Sequence, residues 1–421
     1  MRIIMLCIVT MGIATADKVS YEGYKLFSMI PKTFTQLMLL KKFKEMGDAE
    51  YSFWQEPNLI DGEVFLMVPP RNLDQFYKMI EGFKVPITDE DEYGLWDDFN
   101  LNFEVRIDNI QKLIDDTTTP QNKSQGFDFK QYHTLEEIYD NLEELAKKYP
   151  NKVQVVVGGR TYEGREIKGV KIISGDEKPG IFIEGGIHAR EWISPATVMY
   201  ILHQLLTCSE DSDVRYLADT YNWFIFPVFN PDGYVFSHVK DRLWKKNRKP
   251  SSDICIGSDL NRNWDFCWNT TGTSNNPCDP DYPGSEPFSE IETKSIFEYM
   301  KSNVRHFDSY ISFHGFSQQL MFPSGRMDFH DSYENLHRDD NIVIYKALKK
   351  RYNTRYEIGS INDFYQLSGS SVDYVYHVFR KPIVFLYKLR DKGRYGFLLP
   401  PEQIIPTGEE VLDSLIALFL T

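Results

Sequence analysis

The stretch EGGIHAREWI, residues 184–193, carries His188 and Glu191 three positions apart. It continues the apolar run GIFI, so both side chains fall just past the end of a buried strand, where open α/β sheets present their ligand-binding loops. Catalytic zinc is often held by a pair of histidines and a glutamate, with one coordination position left open. The remaining ligand must then come from another strand end, and His314, which closes the run SYISFH, is the candidate. A His-x-x-Glu match is common by chance in a chain with 61 acidic residues, so the assignment depends on what surrounds it.

What must position these side chains is a layered sheet. Strand-like runs recur at KVQVVVG, IKGVKIIS, PGIFIEGG, WFIFPVF, SYISFHG and PIVFLYKLRD, with helical stretches such as SPATVMYILHQLL and SEIETKSIFEYMKSN between them. Several of the strands are apolar throughout, as expected where helices cover both faces of a largely parallel sheet. The segment HTLEEIYDNLEELAKKYP has Thr134 and Glu137 in capping-box spacing, Leu135, Ile138, Leu142 and Leu145 on one face, and Pro150 as its stop. The fold class is therefore α/β, a mixed and largely parallel central sheet flanked by helices. Ahead of it, GEVFLMVPP, TFTQLMLLKKFKEMG and LDQFYKMIEGF predict a small α+β unit. The polar stretch DDTTTPQNKSQG reads as a linker that offers Lys123 to a trypsin-like protease. The predicted divisions are a signal peptide over 1–16, the small domain over 17–115, a linker over 116–126 and the large domain over 127–421.

A chain of 421 residues, 42% hydrophobic and 14% aromatic, has the size for two domains and the composition to bury a large core. MRIIMLCIVTMGIATA places Arg2 before an apolar run and ends small-x-small, the pattern of a signal peptide, and it is too short to span a bilayer. We expect a secreted, monomeric protein with no membrane segment. The net charge of −14 argues against nucleic acid as a partner, because phosphate binding needs concentrated Lys and Arg. Once Cys7 leaves with the signal, Cys208, Cys255, Cys267 and Cys278 remain, and several disulfide pairings are open. Asn122-Lys123-Ser124 and Asn269-Thr270-Thr271 are glycosylation triplets in such a setting.

Further blocks follow in order: GRTYEGREIKGVKI, NPDGYVFSH, RLWKKNR, CIGSDLNRNWDFCW, SEPFSEIETKSI and RDKGRYGFLLPPEQIIPTGEE. From YHTLEEIYDNL to its end the chain resembles the zinc metallocarboxypeptidases of the pancreatic A/B type, and residues 17–115 resemble their activation segment. That resemblance implies one Zn2+ per chain on His188, Glu191 and His314. It implies that Arg248 stabilises the oxyanion, a role suited to a fixed guanidinium, and that Asn261 and Arg262 grip the substrate's terminal carboxylate. Tyr365 would close over that carboxylate, Arg190 would serve an outer peptide subsite, and Lys245 replaces an arginine there. Val372 at the pocket base implies preference for apolar or aromatic C-terminal residues over Lys and Arg. A Cys255 to Cys278 bridge is implied as well. The implied partners are peptide and protein C termini, an activating trypsin-like protease and protein inhibitors.

Lys388, in YKLRDKGRYGF, occupies the position at which the family carries the glutamate that takes a proton from the attacking water. A base in this role contributes about 10²- to 10⁴-fold. A protonated lysine cannot accept that proton, and it adds positive charge beside a divalent ion. Two readings follow, a severely impaired enzyme and a zinc-binding pseudoenzyme that holds C termini or inhibitors without turnover. A lysine deprotonated by its surroundings would rescue the first. The preceding segment VYHVFRKPIVFLY departs from the family pattern by an apparent extra residue, which leaves the local geometry open.

Overall fold

The computed structural model of the chain describes residues 18–47, 51–82, 101–118, 126–207, 210–323 and 338–420. The signal-like segment, the triplet at Asn122, Lys123 and Cys208 lie outside the described residues.

Two sheets organise the chain. The smaller is antiparallel and consists of β1 (Lys25–Met29), β2 (Ser52–Gln55), β3 (Val64–Val68) and β4 (Phe103–Ile107) in the order β2-β3-β1-β4. Every residue of β3 is buried, and its alternation explains how. Val64, Leu66 and Val68 pack with Leu40 and Phe43 of helix Phe34–Glu45 and Phe76 of helix Leu73–Gly82. Phe65 and Met67 point the other way and join Trp54 in a cluster with Phe316, Phe397 and Leu398 of the large domain.

The larger sheet has eight strands in the order β11-β10-β12-β9-β7-β8-β6-β5. They are β5 (Val153–Arg160), β6 (Glu166–Ile172), β7 (Gly180–Glu184), β8 (Asn222–Phe226), β9 (Ser309–His314), β10 (Gln319–Phe322), β11 (Glu357–Ser360) and β12 (Ile383–Lys388). β12, β9, β7 and β8 run parallel at the centre, while β5 and β6 at one end, and β10 against β12, pair antiparallel. β7, β8 and β9 are buried at every position, which is why they read as unbroken apolar runs. Helix Leu135–Lys148 forms the capping box expected of Thr134 and Glu137.

One boundary differs from the sequence reading. Helix Ile110–Thr118 continues into the stretch taken as linker, because Ile110, Ile114 and Thr117 recur on one buried face. Only Thr117 of these falls within the polar run, so apolar periodicity gave no sign of the extension.

The small domain sits on the large one through more than the aromatic cluster. Lys44 Nζ reaches Asp281 at 2.7 Å across the seam and Glu56 at 3.0 Å within its own domain. The Tyr21 hydroxyl donates to Asp241 at 2.6 Å, and the Ser317 hydroxyl donates to Gln55 at 2.9 Å. Gly393 and Gly396, both at positive φ, let the chain approach closely. A Cβ on Gly393 would lie 2.1 Å from the Phe65 ring, and one on Gly396 2.7 Å from Trp54.

Candidate active site

Parallel pairing of β7 with β9 sets Glu184 opposite Ser312, so both strands end at one edge of the sheet. The loop after β7 supplies His188 and Glu191, and β9 ends on His314. All three are buried, with ligand atoms within 4.8 Å of one another. His188 Nδ1 lies 2.9 Å from Glu191 Oε1 and His314 Nδ1 3.1 Å from Oε2, which also accepts the Gly315 N–H at 3.1 Å. Burial would raise the Glu191 carboxyl, but the two histidines outweigh it and hold the group below the usual carboxylate range.

Behind His188 stands Asp259, whose Oδ1 is 2.9 Å from His188 Nε2 and whose Oδ2 is 2.6 Å from Lys245 Nζ. Burial opposes ionisation of Asp259, yet Lys245 and His188 keep it well below its ordinary value. Convergent imidazoles and a carboxylate, with one ring braced from behind by a second carboxylate, suit a zinc ion. The residues present therefore fit the metal.

Around this centre, Asn261 and Arg262 lie on the turn Leu260–Arg262, for which the Asp259 side chain accepts the Asn261 N–H. Asn261 Oδ1 accepts the Ser371 N–H at 3.0 Å, and Arg262 donates to the carbonyls of Gly272 and Asn261, each at 3.0 Å. Both face the cleft that holds the metal residues. Arg190 reaches the same cleft with its guanidinium 4.0 Å from the Phe397 ring centre. Met321, Ile361 and Leu386 give the cleft an apolar wall. Val372 is fully buried in the cluster containing those residues and stands behind the wall without lining the cleft.

Lys388 ends β12 in register with His314 on one side and Gln319 on the other. Its ammonium lies over the Tyr365 ring, whose hydroxyl donates to Gln319 Oε1 at 2.8 Å. No carboxylate among the described residues pairs with it. Helix Ser371–His377 ends well before β12, and Arg380, at φ 57, turns the chain between them. The lengthened segment is thus absorbed before the strand, and Lys388 keeps its place beside the metal ligand.

Arg248 is the site residue that the structure moves. Its guanidinium is stacked on Phe236 at 3.5 Å and Trp244 at 4.4 Å, and it faces a second cavity at the seam, not the metal cleft. In RLWKKNR it is Lys245 that reaches the cleft. Asp259 anchors Lys245 there, while the aromatic pair holds Arg248 outside. Sequence reasoning also missed Asp259, although it stands two residues before Asn261 in the block CIGSDLNRNWDFCW. Cys255 and Cys278 form a disulfide, and Cys267 is free and exposed.

Two family profiles match in sequence order, "Carboxypeptidase activation peptide" over residues 27–88 and "Zinc carboxypeptidase" over residues 138–414. The chain belongs to the zinc carboxypeptidase family. Zinc carboxypeptidase A 1 of Anopheles gambiae is 40% identical over 417 residues, spanning 97% of this chain and 92% of that one. The zinc carboxypeptidase of Simulium vittatum is 46% identical over 295 residues, 68% of this chain and 95% of its own. Among solved structures, thrombin-activatable fibrinolysis inhibitor aligns with a TM-score of 0.81 at 29% identity, covering 94% of this chain and 98% of its own. As a zinc carboxypeptidase with an activation segment, the chain carries the family's mixed sheet and the activation unit that covers its cleft.

Proposed function

We propose that this is a secreted zymogen of the family that binds a single zinc ion and peptide C termini ending in an apolar or aromatic residue, with hydrolysis severely reduced. One observation carries the reading. Among the described residues lining the cleft, the carboxylates are Glu191, which is held between two histidines, and Glu56, which belongs to the activation unit. Departure of that unit leaves, among the described residues of the cleft, no carboxylate placed to take a proton.

Zinc, when bound, would polarise the scissile carbonyl and acidify water. The chain's own residues then supply the rest. Asn261 and Arg262 receive the terminal carboxylate, a charge-assisted contact that fixes the peptide's direction. Met321, Ile361 and Leu386, backed by Val372, favour an apolar terminal side chain. Lys245 lines the same cleft, with its ammonium tied to Asp259. Lys388 as an ammonium donates and does not accept. The missing base corresponds to about 10²- to 10⁴-fold in rate, or roughly 3–5 kcal/mol of barrier.

Zinc-loaded protein cleaved by trypsin near Lys123 and assayed on blocked dipeptides ending in Phe tests this directly. Lys388→Glu is expected to exceed the parent by at least about 100-fold. Equal turnover by the two would refute the reading. The pseudoenzyme alternative is favoured by the same cationic Lys388 and predicts that the parent retains such peptides with no measurable release of Phe.

A further inference from the structure

The protein carries a net charge of −14, yet the site contains cations without anionic partners. The metal cleft and the seam cavity behind Trp244 are continuous in their lining, sharing Arg190, Lys245 and Pro280. At the inner end lies Lys388, and at the outer end lies Arg248. Neither has a carboxylate partner among the described residues; each instead rests on aromatic faces, Lys388 on Tyr365 and Arg248 on Phe236 and Trp244. Arg248 Nε is buried without a hydrogen-bond partner. Stacking holds a guanidinium rigidly while leaving its edge donors free, and a low-dielectric wall strengthens attraction for an anion.

Besides Glu191, the carboxylates lining this path, Glu56 in the cleft and Asp241 in the outer cavity, form no ion pair with Lys388 or Arg248 among the described residues. Glu56 and the Tyr21 that engages Asp241 both belong to the activation unit, as do Val19 and Tyr24 in the outer cavity. Removal of that unit opens the path and withdraws Glu56, while Asp241 stays in the outer cavity without the Tyr21 hydroxyl. A peptide anchored at Asn261 and Arg262 by its terminal carboxylate would run its preceding residues past Lys388 toward Arg190, Lys245 and Arg248.

We infer that the cleft selects peptides in which an apolar C-terminal residue is preceded by acidic residues, read by Lys388 at the inner end and Arg248 at the outer end. The inference rests on the carboxylate-binding function proposed above and adds its upstream specificity. Acidic upstream residues complement the cations; basic ones meet like charge across a dry wall, which is costly.

The test is fluorescence anisotropy on the zinc-loaded protein, cleaved by trypsin and held until size exclusion shows that the activation unit has departed, with labelled peptides ending Glu-Glu-Glu-Phe, Ala-Ala-Ala-Phe and Lys-Lys-Lys-Phe, each as free acid and as amide. The Glu peptide is expected to bind about tenfold or more tighter than the Ala peptide, with the Lys peptide weakest. That advantage should shrink as salt rises from about 0.02 to about 0.5 M. Arg248→Gln should lower the Glu-to-Ala ratio, and moving a single Glu along the peptide gives the same information without altering the protein. If the Ala peptide binds as free acid and not as amide while the Glu peptide binds no better, the upstream selection is wrong and the carboxylate reading stands. If acid and amide bind alike, the carboxylate reading itself fails. A Glu advantage untouched by both salt and Arg248→Gln would also overturn the inference.

Discussion

The ammonium of Lys388 lies 3.8 Å from the centre of the Tyr365 ring. A cation seated on an aromatic face is attracted to it by about 0.5–2 kcal/mol. The same residue is strand-paired with His314, so it presents like charge to whatever cation the site holds.

Zinc affinity should therefore respond to Lys388 independently of turnover. Lys388→Met removes the repulsion without supplying a base. Competitive chelator titration is expected to show zinc binding tightened by roughly tenfold, while peptide hydrolysis stays as low as in the parent. An unchanged zinc Kd would show that the ammonium is too well screened to matter.

Asp259 braces His188 from behind, and Asp259→Asn keeps the shape while removing the charge. Outer-shell substitutions of this kind weaken metal binding by about 10- to 100-fold. Because Lys245 would lose its ion-pair partner at the same time, the double variant Asp259→Asn with Lys245→Met separates the two effects. Zinc affinity should remain weak in the double variant if the bracing of His188 is what counts.

Lys44 links Glu56 to Asp281, and Asp281 is almost wholly buried. Lys44→Met leaves that carboxylate without its cation, at a cost of about 1–3 kcal/mol after allowance for the partial exposure of Lys44. Following cleavage at the linker, the activation unit should leave about tenfold faster, as read by size-exclusion or light scattering. Release at the parent rate would mean that aromatic packing alone holds the seam.

Buried titrating groups give the stability profile two limbs. Burial pushes the Glu184 carboxyl up to about 7 from 4.5, so the folded state holds a proton that the unfolded chain releases. Stability from this group is complete below pH 4.5 and is lost as pH rises toward 7, by up to about 3 kcal/mol. His238, stacked on Trp192, is pushed by burial down to about 3 from 6.5, so its contribution is present above pH 6.5 and is lost on acidification toward 3. In urea melts of the metal-free protein, Glu184→Gln should flatten the first trend and His238→Phe the second. Parallel pH profiles for parent and variants would show that neither group titrates as described.

Much of this site was legible in the chain because its parts sit at strand ends. His188, Glu191 and His314 follow or close apolar runs that can hardly be anything but buried strands, and Asn261 and Arg262 stand in a distinctive block. Arg248 lies in the seam cavity and Lys245 in the cleft, a division that RLWKKNR, with three cations within four residues, does not reveal by spacing alone. That choice is made by Asp259, Phe236 and Trp244, which stand outside the cation run or at its edge and show their contacts only once the chain is folded. β10 and β11 are four residues each, too short for a periodic signal, and buried Gln319 reads as polar in isolation. The continuation of the helix to Thr118 was hidden by a threonine facing inward.

Gly393 and Gly396 admit the rings of Phe65 and Trp54 so closely that scission of the connecting chain cannot by itself part the two bodies. Parting them would wet two aromatic faces that are buried in the intact chain. The cut form should thus persist as a non-covalent pair, and the delay between cleavage and an open cleft is written into two positions that lack a side chain.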